Sequence, residues 1–215
     1  MSLLNQSSWP ALDNEIALQA QGYRFIAGLD EAGRGAWAGP VVAAAVILPP
    51  ERLDLAALLD GVNDSKKLTP GQRELCFDLI QQTALAIAVG VAPAKLVDEH
   101  NVVGATRYAM EQALAGLNPP PDYLLIDHLK LPSLKLPQTA FPQADSISLT
   151  VAAASIIAKV TRDRMMVEYS ATYPGYAFER HKGYGTELHR AALAQLGPCP
   201  LHRLSYEPLQ LLELK

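Results

Sequence analysis

The fold of this chain is decided by residues 24–48, which read RFIAGLDEAGRGAWAGPVVAAAVIL. The largely apolar residues 24–29 predict a strand that stops at Asp30 and Glu31. Residues 40–48 are apolar with hardly any alternation, which is typical of a strand that is buried on both faces. The Gly-rich link between them predicts a hairpin-like return. Asp30 and Glu31 can share a site only if the strand bends there, and the following Gly33 and Gly35 favour such a bend.

Outside this pair, strand and helix patterns alternate along the chain. Thr69, Pro70 and Gln72 match a capping box with proline at the first helical position, so a helix should begin there. Strands that come first as a set and then alternate with helices indicate an α/β fold with a mixed central sheet covered by helices. Further strands are expected at 85–91, at 123–126 and just before Asp145, and helices at 12–22, 94–99, 102–117, 151–169, 186–197 and 206–214.

The bulk composition predicts one globular domain over residues 1–215, with a core of about 12–172 and a C-terminal helical part from about 173 to 215. Apolar residues make up 49% of the chain, enough for a substantial core. Two cysteines are too few for a disulfide framework. The first ten residues lack the pattern of a signal peptide, so we expect a soluble, cytoplasmic protein.

The charge distribution matters more than the net charge of −4. Between Lys159 and Arg203 the chain carries seven Lys or Arg and four Asp or Glu, an excess of three positive charges. A smaller basic cluster contains Lys66, Lys67 and Arg73. Such clusters are usually solvated surface, but they also suit a nucleic-acid phosphate backbone.

Four acidic residues have settings that suit a metal site: Asp30, Glu31, Asp127 and Asp145. The first three end apolar strands, and open α/β sheets place their ligands at the carboxyl ends of strands. Oxygen ligands are what Mg²⁺ prefers, and a pair of such ions can clamp a phosphoryl displacement. Taken singly, each carboxylate is better explained as a turn or cap residue, and spacing alone does not overturn that.

Other hydrolytic chemistries have less support in the sequence. The histidines match neither H-x-x-x-H nor H-x-x-E-H, so a zinc hydrolase is the weaker alternative. A serine or cysteine nucleophile is equally weak because no G-x-S-x-G elbow is present.

Several ordered motifs resemble the ribonuclease HII family, covering about residues 25–208. The opening segment 28–35 (GLDEAGRG) and the loop 63–68 (NDSKKL) are similar to family signatures, as is the segment 101–110 (NVVGATRYAM). Ile126-Asp127 and Asp145-Ser146 resemble its later acidic positions. The remaining matches are the helix 153–163 (AASIIAKVTRD) and the segments 181–186 (HKGYGT) and 202–206 (HRLSY).

The resemblance implies a ribonuclease H-like fold and an endoribonuclease that acts on RNA–DNA hybrids. It also implies cutting on the 5′ side of single ribonucleotides in duplex DNA, leaving a 3′-hydroxyl and a 5′-phosphate. Asp30, Glu31, Asp127 and Asp145 would hold Mg²⁺ or Mn²⁺, with two ions when substrate is bound. We expect a monomer whose partners are these nucleic acids, with no membrane partner.

The same resemblance implies residues that bind substrate. Backbone groups of the loop Gly33-Arg34-Gly35 would read the ribose 2′-hydroxyl, which is the group that distinguishes RNA from DNA. Tyr184 would pack on the neighbouring deoxyribose. Ser65, Lys66 and Lys67 would contact phosphate, and Arg162, Lys182 and Arg203 are weaker candidates for the same role.

The chain departs from the family pattern at a few positions without losing a carboxylate. Ala36-Trp37, His128 and Ala144 replace the usual Pro-Leu, Gly and Gly, and Tyr206 replaces a common Phe. The changes at 128 and 144 bear on the backbone beside two of the acidic positions.

Two other functions stay open on the sequence. Ribonuclease HIII cuts long hybrids, but it typically carries an added N-terminal domain, for which 215 residues leave no room, and Lys at the position of Arg34. A non-catalytic nucleic-acid-binding module would need only the basic clusters.

Overall fold

The computed structural model describes residues 9–49 and 51–213, and among these five strands form one mixed sheet. The spatial order of the strands is β3-β2-β1-β4-β5. The pairs β1–β2 and β2–β3 are antiparallel, whereas β1–β4 and β4–β5 are parallel. The expected mixed α/β sheet is therefore confirmed. The strands are β1 (Ile26–Ala32), β2 (Val41–Ile47), β3 (Ala86–Ala92), β4 (Tyr123–Asp127) and β5 (Gln138–Phe141).

Helices cover both faces of this sheet. α4 packs on one face, against β1, β2 and β3, and α5 with α3 packs on the other. The last three helices follow α5, in the region expected to be helical. The helices are α1 (Asp13–Gln19), α2 (Leu55–Leu58), α3 (Pro70–Thr83), α4 (Ala94–Ala115), α5 (Leu149–Thr172), α6 (Phe178–His181), α7 (Glu187–Leu196) and α8 (Glu207–Glu213).

β2 has no polar face because both of its faces are covered. Ala43 and Ala45 belong to the core on the α4 side, and Ala44 and Val46 to the core on the α5 side. Every residue of β2 is buried. This is the physical reason for the unbroken apolar run in the sequence.

Small residues let α5 approach the sheet closely. A Cβ built on Gly28 of β1 would lie 2.4 Å from the backbone carbon of Thr150, so only glycine fits there. The completely buried Ala152, Ala153 and Ala154 follow in the first turns of α5. This close packing fixes the N-terminus of α5 beside the end of β1.

Two predicted helix starts are confirmed by their caps. Thr69 forms the full capping box with Gln72 at the start of α3, and Thr186 accepts a hydrogen bond from the amide of His189 at the start of α7. The two helices expected at 94–99 and 102–117 are the two arms of α4, which are separated at Asn101, where the backbone is not helical (φ 56°, ψ 173°). The Asn101 side chain accepts hydrogen bonds from two following amides and so restarts the helix.

Two short helices were not predicted. α2 and α6 have four residues each, too few for a helical period to emerge from the sequence. The signal-peptide expectation concerns the first ten residues, of which 1–8 lie outside the described residues, as does residue 214 at the end of the last predicted helix. Among the residues that are described, every helix is too short or too polar to span a bilayer.

Candidate active site

The four predicted carboxylates lie around the point where β1 and β4 stop pairing. The parallel register of these strands ends one residue before Asp30 and Asp127. Asp127 is the last residue of β4, and Asp145 lies in a 3₁₀ turn between β5 and α5. The fold thus brings together residues that are more than a hundred positions apart in sequence.

The sequence suggested that β1 stops at Asp30 and Glu31, but the strand continues to Ala32. Asp30 and Glu31 stay paired with Ala44 and Ala43 of β2, and the pairing continues to Ala32, the residue before Gly33. The Glu31 amide donates a hydrogen bond of 2.7 Å to Asp30 Oδ1, and both residues line the same cleft. Their shared opening arises because this section of β1 has no β4 neighbour.

Burial and neighbouring negative charges raise the pKa of Asp30, Glu31 and Asp145. Burial, followed by the charges of Glu31, Asp127 and Asp145, raises the pKa of Asp30 well above its usual range. Burial also raises the pKa of Glu31, although the nearby Arg34 opposes this. For Asp145, burial and then Asp64 raise the pKa to about 6. The cluster therefore stores repulsion that a bound cation would relieve.

Two cations lie against the cluster. Arg34 Nη1 is 3.1 Å from Glu31 Oε1, and Lys66 Nζ is 3.4 Å from Asp145 Oδ2. The Lys66 side chain is 76% exposed, so it is free to exchange a carboxylate for another anion. These contacts hold two of the carboxylates while leaving the cleft open.

Asp127 and the residues next to it are held by the backbone. The amide of Ala144 donates a hydrogen bond of 2.8 Å to Asp127 Oδ1, which links the β4 acid to the turn that carries Asp145. His128 follows with φ of 61°, a left-handed conformation for which glycine is better suited. His128 keeps this geometry and lines the cleft beside Asp145.

The donor set fits a hard divalent cation. Glu31 Oε2 is buried without a hydrogen-bond partner, and carboxylate oxygens are the ligands that Mg²⁺ and Mn²⁺ prefer. Among the described residues, no three His, Cys, Asp or Glu side chains already form a metal-binding group. Side-chain rotation away from Arg34 and Lys66 would be needed to bring the oxygens together.

Asp64 is a fifth acid at this site, and it is not among the site residues predicted from the sequence. It raises the pKa of Asp145 by charge and by a side-chain hydrogen bond. Its Oδ1 also caps the turn Ser65–Lys67 by accepting from the Lys66 amide at 2.9 Å. The available signal was its place directly before the basic residues of the loop 63–68.

Most predicted substrate-binding residues line two adjoining clefts that share Lys66 and Asp127. The first, of about 460 Å³, contains Asp30 and Glu31 together with the glycine loop and Tyr184. The second, of about 610 Å³, contains Asp64, Asp145 and Lys67. Within the first cleft the predicted residues are Gly33, Arg34, Gly35, Ser65, Lys66 and Tyr184.

Ser65 and Lys67 differ in how open they are. Ser65 is 5% exposed, and its hydroxyl accepts a hydrogen bond of 2.8 Å from Ser155. Lys67 is exposed and donates to Ser146 at 3.0 Å. Lys67 therefore presents an accessible positive charge, whereas the Ser65 side chain lines the first cleft from a buried, hydrogen-bonded position.

Arg162 and Arg203 do not face the nucleic-acid surface that the sequence suggested for them. Both are 0% exposed. Arg162 donates to the carbonyls of Pro40, Ala38 and Lys182. Arg203 donates to the carbonyls of Gly39 and Arg34. A phosphate role for these two arginines is therefore wrong, because their buried guanidinium groups donate to backbone carbonyls.

Comparison with known proteins bears on the whole chain. The family model of "Ribonuclease HII" matches residues 27–208. Ribonuclease HII of Geobacter sulfurreducens is 53% identical over 207 residues, covering 96% of this chain and 93% of the relative. The crystal structure of ribonuclease H2 from Pyrococcus horikoshii superposes with a TM-score of 0.73 at 27% identity, covering 88% and 97% of the two chains. The Mn²⁺ complex of Bst-RNase HIII has a TM-score of 0.65 at 22% identity, covering 87% and 68%, and shows the fold alone.

Proposed function

Because this chain belongs to the ribonuclease HII family of hydrolytic endoribonucleases, we propose that it cuts RNA paired with or embedded in DNA. Its substrates are the RNA strand of RNA–DNA hybrids and single ribonucleotides in duplex DNA, cut on their 5′ side to leave a 3′-hydroxyl and a 5′-phosphate. The observation that carries the proposal is that Asp30, Glu31 and Asp127 line one cleft with the glycine loop and Tyr184, while Asp145 lines the adjoining cleft.

The metal-binding residues of this proposal are Asp30, Glu31, Asp127 and Asp145. Two observations support it: burial and the neighbouring carboxylates raise the pKa of Asp30, and Glu31 Oε2 is buried without a hydrogen-bond partner, so a bound cation would be favourable at both. Mg²⁺ or Mn²⁺, as two ions with substrate, would supply activation of water and neutralisation of the leaving oxygen. In their absence Lys66 and Arg34 offset part of the same charge.

The glycine loop is the proposed reader of the ribose. Gly33 has φ of +92° and lies so close to Arg162 that no Cβ fits, while Gly35 has nothing within 4 Å of a built Cβ. One glycine therefore shapes the loop and the other leaves space for a sugar to approach the backbone. Contact with the 2′-hydroxyl at this point would select RNA over DNA.

Tyr184 is the proposed contact to the sugar that follows. Its ring lies in the same cleft, with the Arg162 guanidinium 5.3 Å and Lys159 Nζ 5.5 Å from the ring centroid. The ring therefore borders the cleft with two cations close to it. Packing against deoxyribose would then favour a ribonucleotide followed by DNA.

Lys66, Lys67 and Ser65 are the proposed phosphate contacts. Lys66 and Lys67 line the second cleft, and Ser65 and Lys66 line the first. Contacts of this kind position the duplex without reading its sequence.

The whole chain is proposed to act as one catalytic domain, with a core to about residue 172 and a helical part thereafter. Arg203, from the helical part, donates to the Arg34 carbonyl at 2.8 Å, and Arg162, from α5, donates to the Lys182 carbonyl at 2.9 Å. The glycine loop and Tyr184 thus depend on contacts made across that boundary.

The test is cleavage of a DNA duplex that contains one ribonucleotide, with and without Mg²⁺ or Mn²⁺. Metal-dependent cutting on the 5′ side of that nucleotide is expected, with none in an all-DNA duplex of the same sequence. A long RNA–DNA hybrid, assayed in parallel, measures the relative preference. Absence of any metal-dependent cut in either substrate would contradict the proposal.

A further inference from the structure

Three histidines lie buried behind Tyr184, where the proposed function gives them no role. His181, His189 and His202 are 8%, 0% and 3% exposed. The rings of His181 and His189 stack with centroids 4.4 Å apart, and Phe178 packs against all three rings. A cluster of this kind in an apolar setting requires each ring nitrogen to find a partner.

The hydrogen bonds fix how two of these rings are protonated. His189 Nδ1 is 3.0 Å from the Tyr184 carbonyl oxygen, which can only accept, so this nitrogen carries the proton. In a neutral ring, His189 Nε2 is then an acceptor. It faces His202 Nε2 at 3.0 Å, which must donate. With its proton on Nε2, His202 accepts at Nδ1 from the Cys199 amide at 2.9 Å, a shorter contact than the 3.2 Å from Nδ1 to the Cys199 carbonyl oxygen.

The neutral state of both rings is favoured by their surroundings. Burial lowers the pKa of His189 and of His202 to about 4. One directed chain of hydrogen bonds therefore runs from the Cys199 amide through His202 and His189 to the Tyr184 carbonyl. A second proton on His189 would put two N–H groups face to face between the rings, and a second proton on His202 would put its Nδ1–H against the Cys199 amide.

This series of hydrogen bonds ends at the Tyr184 carbonyl, and Tyr184 lines the cleft. The Tyr184 carbonyl also accepts from the Thr186 amide at 2.8 Å, and the Gly183 carbonyl accepts from the Trp37 amide at 2.8 Å. The turn that presents the tyrosine ring to the carboxylates is thus held from below by His189 and from the side by the glycine-loop segment.

We propose that His202 and His189 form a neutral hydrogen-bond relay that positions Tyr184 for the sugar next to the scissile phosphate. They are positioning residues, because they act through the Tyr184 backbone and do not touch the nucleic acid. The inference rests on the proposed role of Tyr184. It adds His189 and His202 to the residues that determine selectivity for the RNA–DNA junction.

Two substitutions of one residue separate the relay from simple packing. In His189→Asn the amide nitrogen can occupy the Nδ1 position and keep the donor to Tyr184. In His189→Gln the amide lies at the Nε2 position, so the bond to His202 survives but the donor to Tyr184 is lost. His100→Gln, at an exposed histidine of α4, is the matched control.

The readout is the ratio of kcat/KM on a single-ribonucleotide duplex to that on a long hybrid. His189→Gln is expected to lower this ratio by about fivefold to tenfold, the usual effect of one lost hydrogen bond. It should move in the same direction as Tyr184→Ala. His189→Asn is expected to stay within about twofold of the wild type, as is His100→Gln. If Tyr184→Ala lowers the ratio but Asn and Gln at 189 leave it equal to each other, the relay is wrong.

Nitrogen-15 NMR of the imidazoles tests the relay without activity. At pH 7 His189 is expected to be the Nδ1–H tautomer and His202 the Nε2–H tautomer, both neutral. A His189 signal of the Nε2–H form, or of a protonated ring, would overturn the proposal. A wild-type protein that cuts neither substrate would instead contradict the proposed function, while the tautomers would still decide whether the relay exists.

Discussion

Gly33 and Gly35 are two residues apart, but they have opposite physical reasons to be glycine. Gly33 combines φ of +92° with a built Cβ only 2.0 Å from Arg162 Nε, and Arg162 is completely buried. Gly35 has no positive φ and no neighbour within 4 Å. The first position is required by the fold and the second only by what enters the cleft.

Alanine at these two positions should therefore have different effects. Gly33→Ala is expected to lower the free energy of unfolding by about 2–4 kcal/mol, because it adds left-handed strain and displaces a buried guanidinium. Gly35→Ala should change it by less than about 0.5 kcal/mol but reduce cleavage of the single-ribonucleotide substrate. Urea unfolding with a cleavage assay checks both; equal stability losses would contradict the assignment.

Asp30 is expected to be required for activity but to lower the stability of the metal-free protein. Its buried charge faces three other carboxylates, so Asp30→Asn removes repulsion in the metal-free protein. We expect an unchanged or higher melting temperature without metal, with cleavage reduced by at least about a thousandfold. Asp78→Asn, at an exposed position of α3, is the control. A metal-free Asp30→Asn protein that melts well below the wild type would contradict this explanation.

At the scale of single residues, the sequence indicates the acidic residues of the clefts better than the residues that support them. Asp30, Asp127 and Asp145 were recognisable because each follows or precedes a core element. Asp64 was overlooked because its loop was read for its lysines, and its effect on Asp145 exists only once residues 64 and 145 meet. Arg162 and Arg203 were misread as phosphate contacts, since a sequence does not show whether an arginine faces water or backbone carbonyls.

Between elements, Arg203 links the C-terminal part to the turn after β1. Its guanidinium donates to the Gly39 carbonyl through two nitrogens, at 3.1 and 2.9 Å, and to the Arg34 carbonyl. The Tyr206 hydroxyl donates to the same Arg34 oxygen. This explains the departure from phenylalanine at residue 206, since a phenyl ring would lack that donor.

Replacing Arg203 should loosen the glycine loop from a distance. Arg203→Lys keeps a charge but lacks the planar fork, so it leaves buried carbonyls unpaired. We expect a loss of about 2–4 kcal/mol in unfolding free energy, with a further fall in cleavage under conditions where the variant is fully folded. Arg180→Lys, at an exposed position of α6, should match the wild type in both measurements. Full activity in folded Arg203→Lys would contradict the link.

Elements were predictable from sequence where a local rule determined them. The capping residues Thr69 and Thr186 and the unalternating run of β2 give signals within a few positions of the chain. The continuation of β1 past Asp30 does not, because it depends on β2 pairing there while β4 has already diverged. Short helices such as α6, bounded by left-handed residues at 177 and 182, are likewise set by packing.

For the molecule as a whole, the net charge of −4 conceals a cleft bordered by cations. Lys66, Lys159 and Arg34 line the first cleft, and Lys67 the second. Affinity for a hybrid should therefore fall as NaCl rises, with the logarithm of the binding constant linear in the logarithm of the salt concentration. Lys67→Gln should reduce that slope by about one unit, measured by fluorescence anisotropy with Ca²⁺ in place of Mg²⁺. A slope unchanged by Lys67→Gln would remove that residue from the phosphate contacts.

The acidic cluster should also shape how the stability of the entire metal-free protein varies with pH. Asp145 has an ordinary pKa of 3.8 that rises to about 6 in the folded chain. Between these values the folded state binds more protons than the unfolded state, so this residue's contribution to stability falls as pH rises and is lost above about 6. His189 and His202, with folded pKa values of about 4 against 6.5, act with the opposite sign over a similar range.

Asp145→Asn removes only the first of these contributions. Relative to wild type, the variant should therefore gain stability as pH rises from 4 to 7, by about 2 kcal/mol. Its own stability should fall more steeply on acidification, because the histidines then act with less opposition. Urea unfolding at pH 4.5 and 7 with a chelator present measures both slopes. A wild-type minus variant difference that does not change with pH would mean that Asp145 titrates in the folded protein as it does in water.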